Sequence, residues 1–307
     1  MRLTRTIATA AAAIAALTLG ACGADSDPMG NTSAQPSSSG AGAPVVVGSA
    51  NFTESQVLAE LYAQALKAKG VNASTKPNIG SREIYIKALQ DGSISVVPEY
   101  TGNLLLYFDK TSKAKTAAEV DAALPAAVGD LKLGKASKAA DQDVYVVTKE
   151  FSEKNGVSSL SDLKKVSANA VLGGPSELKD REYGPKGLTS VYGATFKEFK
   201  PYDSPAVKVK DLNSDKIQVA EFFTTESAIA DNGYVPLADP ESMILPQNII
   251  PLMRADVAGN TSATGALDAV QAALTTEELT ALNKKVDVDR QDPDQVAGEW
   301  LKSKNLG

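Results

Sequence analysis

The 307-residue sequence contains no histidine and one cysteine, Cys22. Without an imidazole, Ser-His-Asp and Cys-His catalysis, HExxH zinc chemistry and a histidine pH switch are excluded, because each needs a side chain that changes protonation near neutrality. A lone thiol cannot close an intramolecular disulfide. Basic clusters are also missing: Lys and Arg number 31 against 37 Asp and Glu, for a net charge of −6. That balance argues against nucleic acid, which recruits proteins by having its phosphates neutralised by clustered cations. What is present is a globular composition, 43% hydrophobic. At roughly 100 to 200 residues per domain it suits one large or two modest domains.

The first residues read as an address. Arg2 and Arg5 precede an apolar stretch, 7–19, too short to span a bilayer that needs roughly 20 helical residues but suited to a secretory signal. It ends in Leu19-Gly20-Ala21-Cys22, which resembles the bacterial lipoprotein signal, in which the Cys is lipidated and becomes the mature N-terminus. The resemblance implies removal of residues 1–21, lipidation at Cys22 and a membrane attachment through acyl chains. Cleavage would take away two arginines and no acid, moving the charge from −6 to −8. Residues 22–44 follow, almost all small or polar, and are expected to form a flexible tether because they have too little apolar area to offset chain entropy.

From residue 45 onward, strand and helix signals alternate. A β-branched run at 45–47 reads as a buried strand. Thr53 and Gln56 read as a capping box before a helix that turns Val57, Leu58, Leu61, Tyr62, Ala65 and Leu66 inward and stops at Gly70. Ser81 is expected to cap a second helix, and 94–97 to be the next strand. Further strands are expected near 144–148, 170–172 and 217–220, with helices near 160–166 and 204–212. The tail is expected to be helical, with a capping box at Thr275 and Glu278 and an Asp292-Pro293 helix start. An α/β architecture follows. No internal repeat is visible, and the Pro and Gly between about 173 and 187 mark a long loop of the kind that is often functional.

Several segments are specific: Gly48-Ser49-Ala50-Asn51-Phe52-Thr53-Glu54, Gly80-Ser81-Arg82-Glu83, Pro98-Glu99-Tyr100-Thr101-Gly102, Arg181 with Gly184, Gly187 and Leu188, Phe223-Thr224-Thr225-Glu226, and Pro251-Leu252-Met253-Arg254. Together, and in this order, they resemble the substrate-binding lipoproteins of quaternary-amine ABC importers, the glycine betaine, choline and carnitine class of ProX/OpuC-like osmoprotectant-binding proteins. The resemblance covers nearly all of residues 45–307. It implies a two-lobed, type II periplasmic-binding-protein-like α/β fold with two hinge crossovers, lobe I holding 45–141 plus 247–307 and lobe II 142–246. It also implies a non-enzymatic monomer without cofactor or metal, which closes on a small-molecule ligand and presents it to permease and ATPase subunits outside the cytoplasmic membrane.

A quaternary ammonium cannot donate hydrogen bonds and is held by the negative faces of aromatic rings. Carried over motif by motif, the resemblance makes Tyr100 and Tyr145 cage aromatics, Asp143 an acid near the cation, and Arg181 the reader of the ligand's carboxylate. Asn103 stands where Thr is usual, and Asn51 and Phe223 complete the implied cleft. Three positions depart from the pattern: Ala50 replaces a Lys, Phe223 a Tyr, and Gln247 a Tyr of the return crossover. Fewer rings and donors make a bulkier or less cationic ligand, sensed by a surface lipoprotein, the alternative reading. Taken alone, Tyr100 and Tyr145 read as core residues with satisfied hydroxyls, Asp143 as a solvated acid and Arg181 as a surface side chain. Glu54 and Glu99 can be imagined as an acid/base pair of an enzyme, but Glu54 in a first helical turn is explained by the helix dipole.

Overall fold

The structure is a computed structural model and describes residues 44–307. Cys22, the expected signal at 1–21 and nearly all of the expected tether lie outside the described residues.

Ten strands form two sheets: β1 (Val45–Gly48), β2 (Ala73–Lys76), β3 (Val96–Tyr100), β4 (Lys132–Leu133), β5 (Asp143–Val147), β6 (Val171–Gly174), β7 (Glu198–Pro201), β8 (Val219–Phe223), β9 (Val235–Pro236) and β10 (Ile249–Met253). The first sheet has the order β2-β1-β3-β10-β4 and the second β7-β6-β8-β5-β9. In each, three parallel strands are followed by two that alternate in direction. The two sheets are thus built alike, although no repeat is visible in the sequence.

Each sheet is covered on both faces, which is what runs such as Val96–Tyr100 and Ile249–Met253, buried at every position, require. In the first lobe the helix Thr53–Ala68 packs one face together with Thr261–Ala273, Thr276–Asp287 and Pro293–Ser303 around Leu58, Leu61, Tyr62, Leu267 and Trp300. The other face buries Ile86, Leu89, Leu104, Leu105, Val120 and Leu124 from three helices between residues 82 and 127. The second lobe has its own two clusters, one around Tyr145, Leu160, Leu172 and Leu188, the other around Tyr202, Leu212 and Phe222. The expected α/β, two-lobed architecture is therefore observed.

The chain leaves the first sheet after β4 and returns to it at β10. The two connecting segments run side by side, with Ala140 bridged to Asn248, Asp141 N–H donating to the Gln247 carbonyl (3.0 Å) and Ile249 N–H to the Ala139 carbonyl (3.1 Å).

Three local expectations fail, the first at Ser81, which stands at the N-cap of its helix but whose hydroxyl donates to Glu83 (2.6 Å) instead of capping. The capping box at Thr53 does not form: Phe52 is the N-cap, and the Thr53 hydroxyl instead donates to Asp287 (2.6 Å). The segment expected as a helix near 160–166 is a 3₁₀ helix, Leu160–Lys165. The box at Thr275 and Glu278 forms as expected, and Pro293 opens the last helix behind Asp292.

Candidate functional site

In open α/β sheets, side chains at the carboxyl ends of parallel strands converge on a crevice, because the turns that follow the strands project beyond the sheet. Here β1 runs into Ala50, Asn51 and Phe52, β3 ends in Tyr100, β6 runs into the loop carrying Glu177, Arg181 and Tyr183, and β8 ends in Phe223. The two sheets direct these ends toward each other. Asp143, the first residue of β5, pairs with Phe223 in the neighbouring strand. Between the lobes lies a cavity of about 60 Å³ bordered by Ala50, Asn51, Phe52, Tyr100, Asn103, Asp143, Arg181 and Phe223, together with Arg82, Tyr85, Asp141, Glu177 and Tyr183. It adjoins a 640 Å³ vestibule on the Glu83 and Tyr107 side and a 270 Å³ chamber on the Glu54 and Lys208 side.

Most candidate residues therefore border the cavity, but two do not. Tyr145 is fully buried in the second lobe and its hydroxyl donates to the Tyr183 carbonyl at 2.7 Å. It is a core residue with a satisfied hydroxyl, and it holds Tyr183, which does face the cavity. Gln247 is also fully buried: its Oε1 accepts from the Asn103 N–H (2.9 Å) and its Nε2 donates to Asn103 Oδ1 (2.6 Å). Asn103 Nδ2 in turn donates to Asp143 Oδ2 at 2.8 Å. In place of a ring, Gln247 supplies a relay that fixes the Asp143 carboxylate.

The rings come partly from elsewhere. Phe52 stacks on Phe223 with centroids 5.5 Å apart and lies 6.3 Å from Tyr100. Phe52, Tyr85 and Tyr183 are absent from the motif-derived set. Position in the chain signals two of them, since Phe52 sits inside the first specific segment and Tyr183 two residues after Arg181. Tyr85 follows the Gly80-Ser81-Arg82-Glu83 segment by two residues and is on the inward side of the helix Arg82–Gln90, but its periodicity alone reads as core.

Charge pairing gives the cavity its sign. Arg82 is buried and donates through Nε and Nη2 to the two carboxylate oxygens of Glu99, both at 2.9 Å, while the Tyr85 hydroxyl also donates to Glu99 (2.8 Å). Arg181 is engaged across the cleft by Glu83, with Nη1 to Oε1 at 2.5 Å. Partial burial pushes the Glu83 carboxyl up, but the hydrogen bonds from Arg181 and Ser81 outweigh it and hold the group down at about 2. The clasp thus keeps its charge in all but strong acid. With both arginines paired, Asp143 and Glu177 leave the wall acidic.

Glu54 does more than complement a helix dipole. Its buried carboxylate accepts from the Tyr100 hydroxyl, from the Thr225 hydroxyl of the second lobe and from Asn283 Nδ2, each at 2.6 Å. Burial, followed by the nearby Glu54 charge, pushes Asp141 well above the ordinary range. Asp141 accepts from Thr225 N–H at 3.0 Å, which ties the crossover to the same corner.

Two α/β lobes joined by paired crossovers, with an acidic, ring-lined cavity between them, define a substrate-binding protein of the two-lobed class. Residues 43–303 match the family described as the substrate binding domain of ABC-type glycine betaine transport system, and the chain belongs to that family. Among its relatives is the glycine-betaine-binding protein of Pseudomonas aeruginosa, 25% identical over 85% of this chain and 88% of that protein. The glycine betaine-binding protein YehZ of Escherichia coli is 24% identical over 86% and 92%. A solved structure described as a glycine betaine/carnitine/choline ABC transporter superposes with a TM-score of 0.68 at 22% identity, covering 85% of this chain and 99% of that one. The family consists of transport substrate-binding proteins, so the protein is an extracytoplasmic binding component of an ABC importer and not an enzyme. No helix among the described residues is long and apolar enough to cross a membrane.

Proposed function

We propose that the protein captures a quaternary-amine osmoprotectant, glycine betaine, choline or carnitine, between its lobes and hands it to the importer's permease and ATPase subunits. The observation that carries this reading is the coincidence, in one cavity, of several rings with the Asp143 carboxylate, while Arg82 and Arg181 are bonded to Glu99 and Glu83 instead. Phe52, Tyr85, Tyr100, Tyr183 and Phe223 offer π-faces to a cation that donates no hydrogen bonds, and Asp143 supplies the opposite charge. Asn51 and Asn103 are polar contacts, while Tyr145 and Gln247 act from behind the wall. Arg181 meets a ligand carboxylate by releasing Glu83. Capture takes place as the lobes part and close again, with 45–141 plus 247–307 moving against 142–246 about the paired crossovers. The protein acts as a monomer tethered through residues 22–44 to a lipid on Cys22, the signal 1–21 having been removed.

Calorimetric titration tests the reading. Saturable binding of at least one of the three amines is expected, and Tyr100→Ala should weaken it roughly 30-fold if one desolvated cation–π contact of about 2 kcal/mol is lost. An absence of heat with all three overturns it.

A further inference from the structure

At the wall between the central cavity and the side chamber, two carboxyl groups face each other. Asp143 borders the cavity from β5 and Glu221 borders the 270 Å³ chamber from the adjacent β8. Asp143 pairs with Phe223 and Tyr145 with Glu221, so the two acids are diagonal neighbours on one face of the strand pair, where their side chains can meet. Glu221 is fully buried, and neither of its oxygens receives a hydrogen bond from a donor among the described residues. Two carboxylates cannot donate to one another, so the contact becomes a hydrogen bond only when one of them carries a proton.

The surroundings leave that proton on Glu221. The nearest cation, the Lys208 ammonium, donates to the Glu221 backbone carbonyl at 2.7 Å and lies 3.7 Å from Glu226 Oε1, so its charge is directed elsewhere. Arg82, which also acts on Asp143, is spent on Glu99. Glu226, whose charge pushes Glu221 further up, Tyr145 and Tyr183 are the other titratable groups facing the pair, and the Tyr145 hydroxyl is committed to the Tyr183 carbonyl. Asp143 has a donor of its own in Asn103, and Glu221 has none. Burial, only partly opposed by Lys208, accordingly pushes Glu221 well above the ordinary carboxylate range.

We propose that Asp143 and Glu221 hold one proton between them, and that a cation seated beside Asp143 expels it, so that capture exchanges a cation for a proton. The inference rests on the cation-binding reading of the cleft. Without ligand, the pair carries one negative charge, which suits a buried site. A bound cation stabilises a second, the Glu221 O–H bond breaks with its electrons remaining on the carboxylate, and the proton passes to water through the chamber that Glu221 borders. Affinity then rises with pH wherever the unliganded pair is protonated, by at most about tenfold per pH unit for one proton released.

Titration of the protein with choline near neutral pH, in phosphate and in Tris, reads the exchange directly because the two buffers take up a proton with different heats. The expected result is a heat difference corresponding to release of up to one proton in the wild type, and buffer-independent heats in Glu221→Gln. Choline binding with identical heats in both buffers overturns the exchange while leaving the binding function intact. No heat with choline, glycine betaine or carnitine overturns both. Carbon-13 carboxyl titration of the unliganded protein reads the pair without any ligand: a resonance titrating well above the usual carboxylate midpoint of about 4 should vanish in Glu221→Gln and persist in Asp141→Asn. If the Gln variant fails to fold, Asp143→Asn should move the midpoint of the same resonance downward, and an unchanged midpoint overturns the shared proton. A wild-type spectrum with every carboxyl in the ordinary range overturns the shared proton whatever the protein binds.

Discussion

At the scale of single residues, burial decides what each charge does. Arg82 and Glu99 are 8% and 0% exposed, and a buried pair gains little net energy but leaves an uncompensated charge when one member is removed. Arg82→Ala should therefore destabilise the protein by about 3 to 5 kcal/mol, measured by urea denaturation, whereas a loss under 1 kcal/mol would mean that water reaches Glu99. Gly184 and Gly187 show why the Arg181 loop is written as it is. A Cβ at either position would lie 1.9 and 2.0 Å from the carbonyl oxygens of Leu178 and Glu182 respectively, so the turn that delivers Arg181 and Tyr183 to the cleft closes only around glycine.

At the scale of elements, periodicity and turn chemistry made much of the chain legible, and tertiary context decided the rest. Thr275 and Glu278 form their capping box as the spacing implies, and Thr275→Ala should cost about 1 kcal/mol, read as a drop in the denaturant midpoint without a change of slope. Thr53 carries the same signature and does not cap, because Asp287 of another helix takes its hydroxyl. Strands β2, β4, β7 and β9 are short or half-polar edge strands, held by their neighbours' hydrogen bonds more than by their own burial, and the sequence pattern does not mark them; it also misses the fully buried β10, where Pro251 inside the run argues against a central strand. The site was legible where a strand end carries a motif, as with Tyr100, Asp143 and Phe223. It was illegible where a side chain's direction matters. Asp143 and Tyr145 share one face of β5, yet only the first reaches the cavity, and the inward position of Tyr85 does not by itself separate core from cleft.

At the scale of the molecule, the seam between the lobes is mainly polar: Glu54 with Thr225, Asn103 with Asp143, Arg181 with Glu83 and Lys115 with the Glu241 carbonyl, alongside Phe52 on Phe223 and Leu106 against the second lobe's core. Exposed pairs such as Lys284 with Asp231 at 3.6 Å add little. Such a seam is separable, unlike the apolar cores within each lobe, and this is what a protein that opens and closes on a solute requires. The central claim is that the cavity selects positive charge, not merely a branched apolar head. It is tested most directly by comparing choline with 3,3-dimethylbutan-1-ol, the alcohol of nearly the same shape in which carbon replaces the quaternary nitrogen, in parallel calorimetric titrations. The account predicts that choline binds on the order of a hundredfold more tightly or better, since the neutral molecule forfeits cation–π attraction to several rings as well as the pull of Asp143. Equal affinities would contradict it.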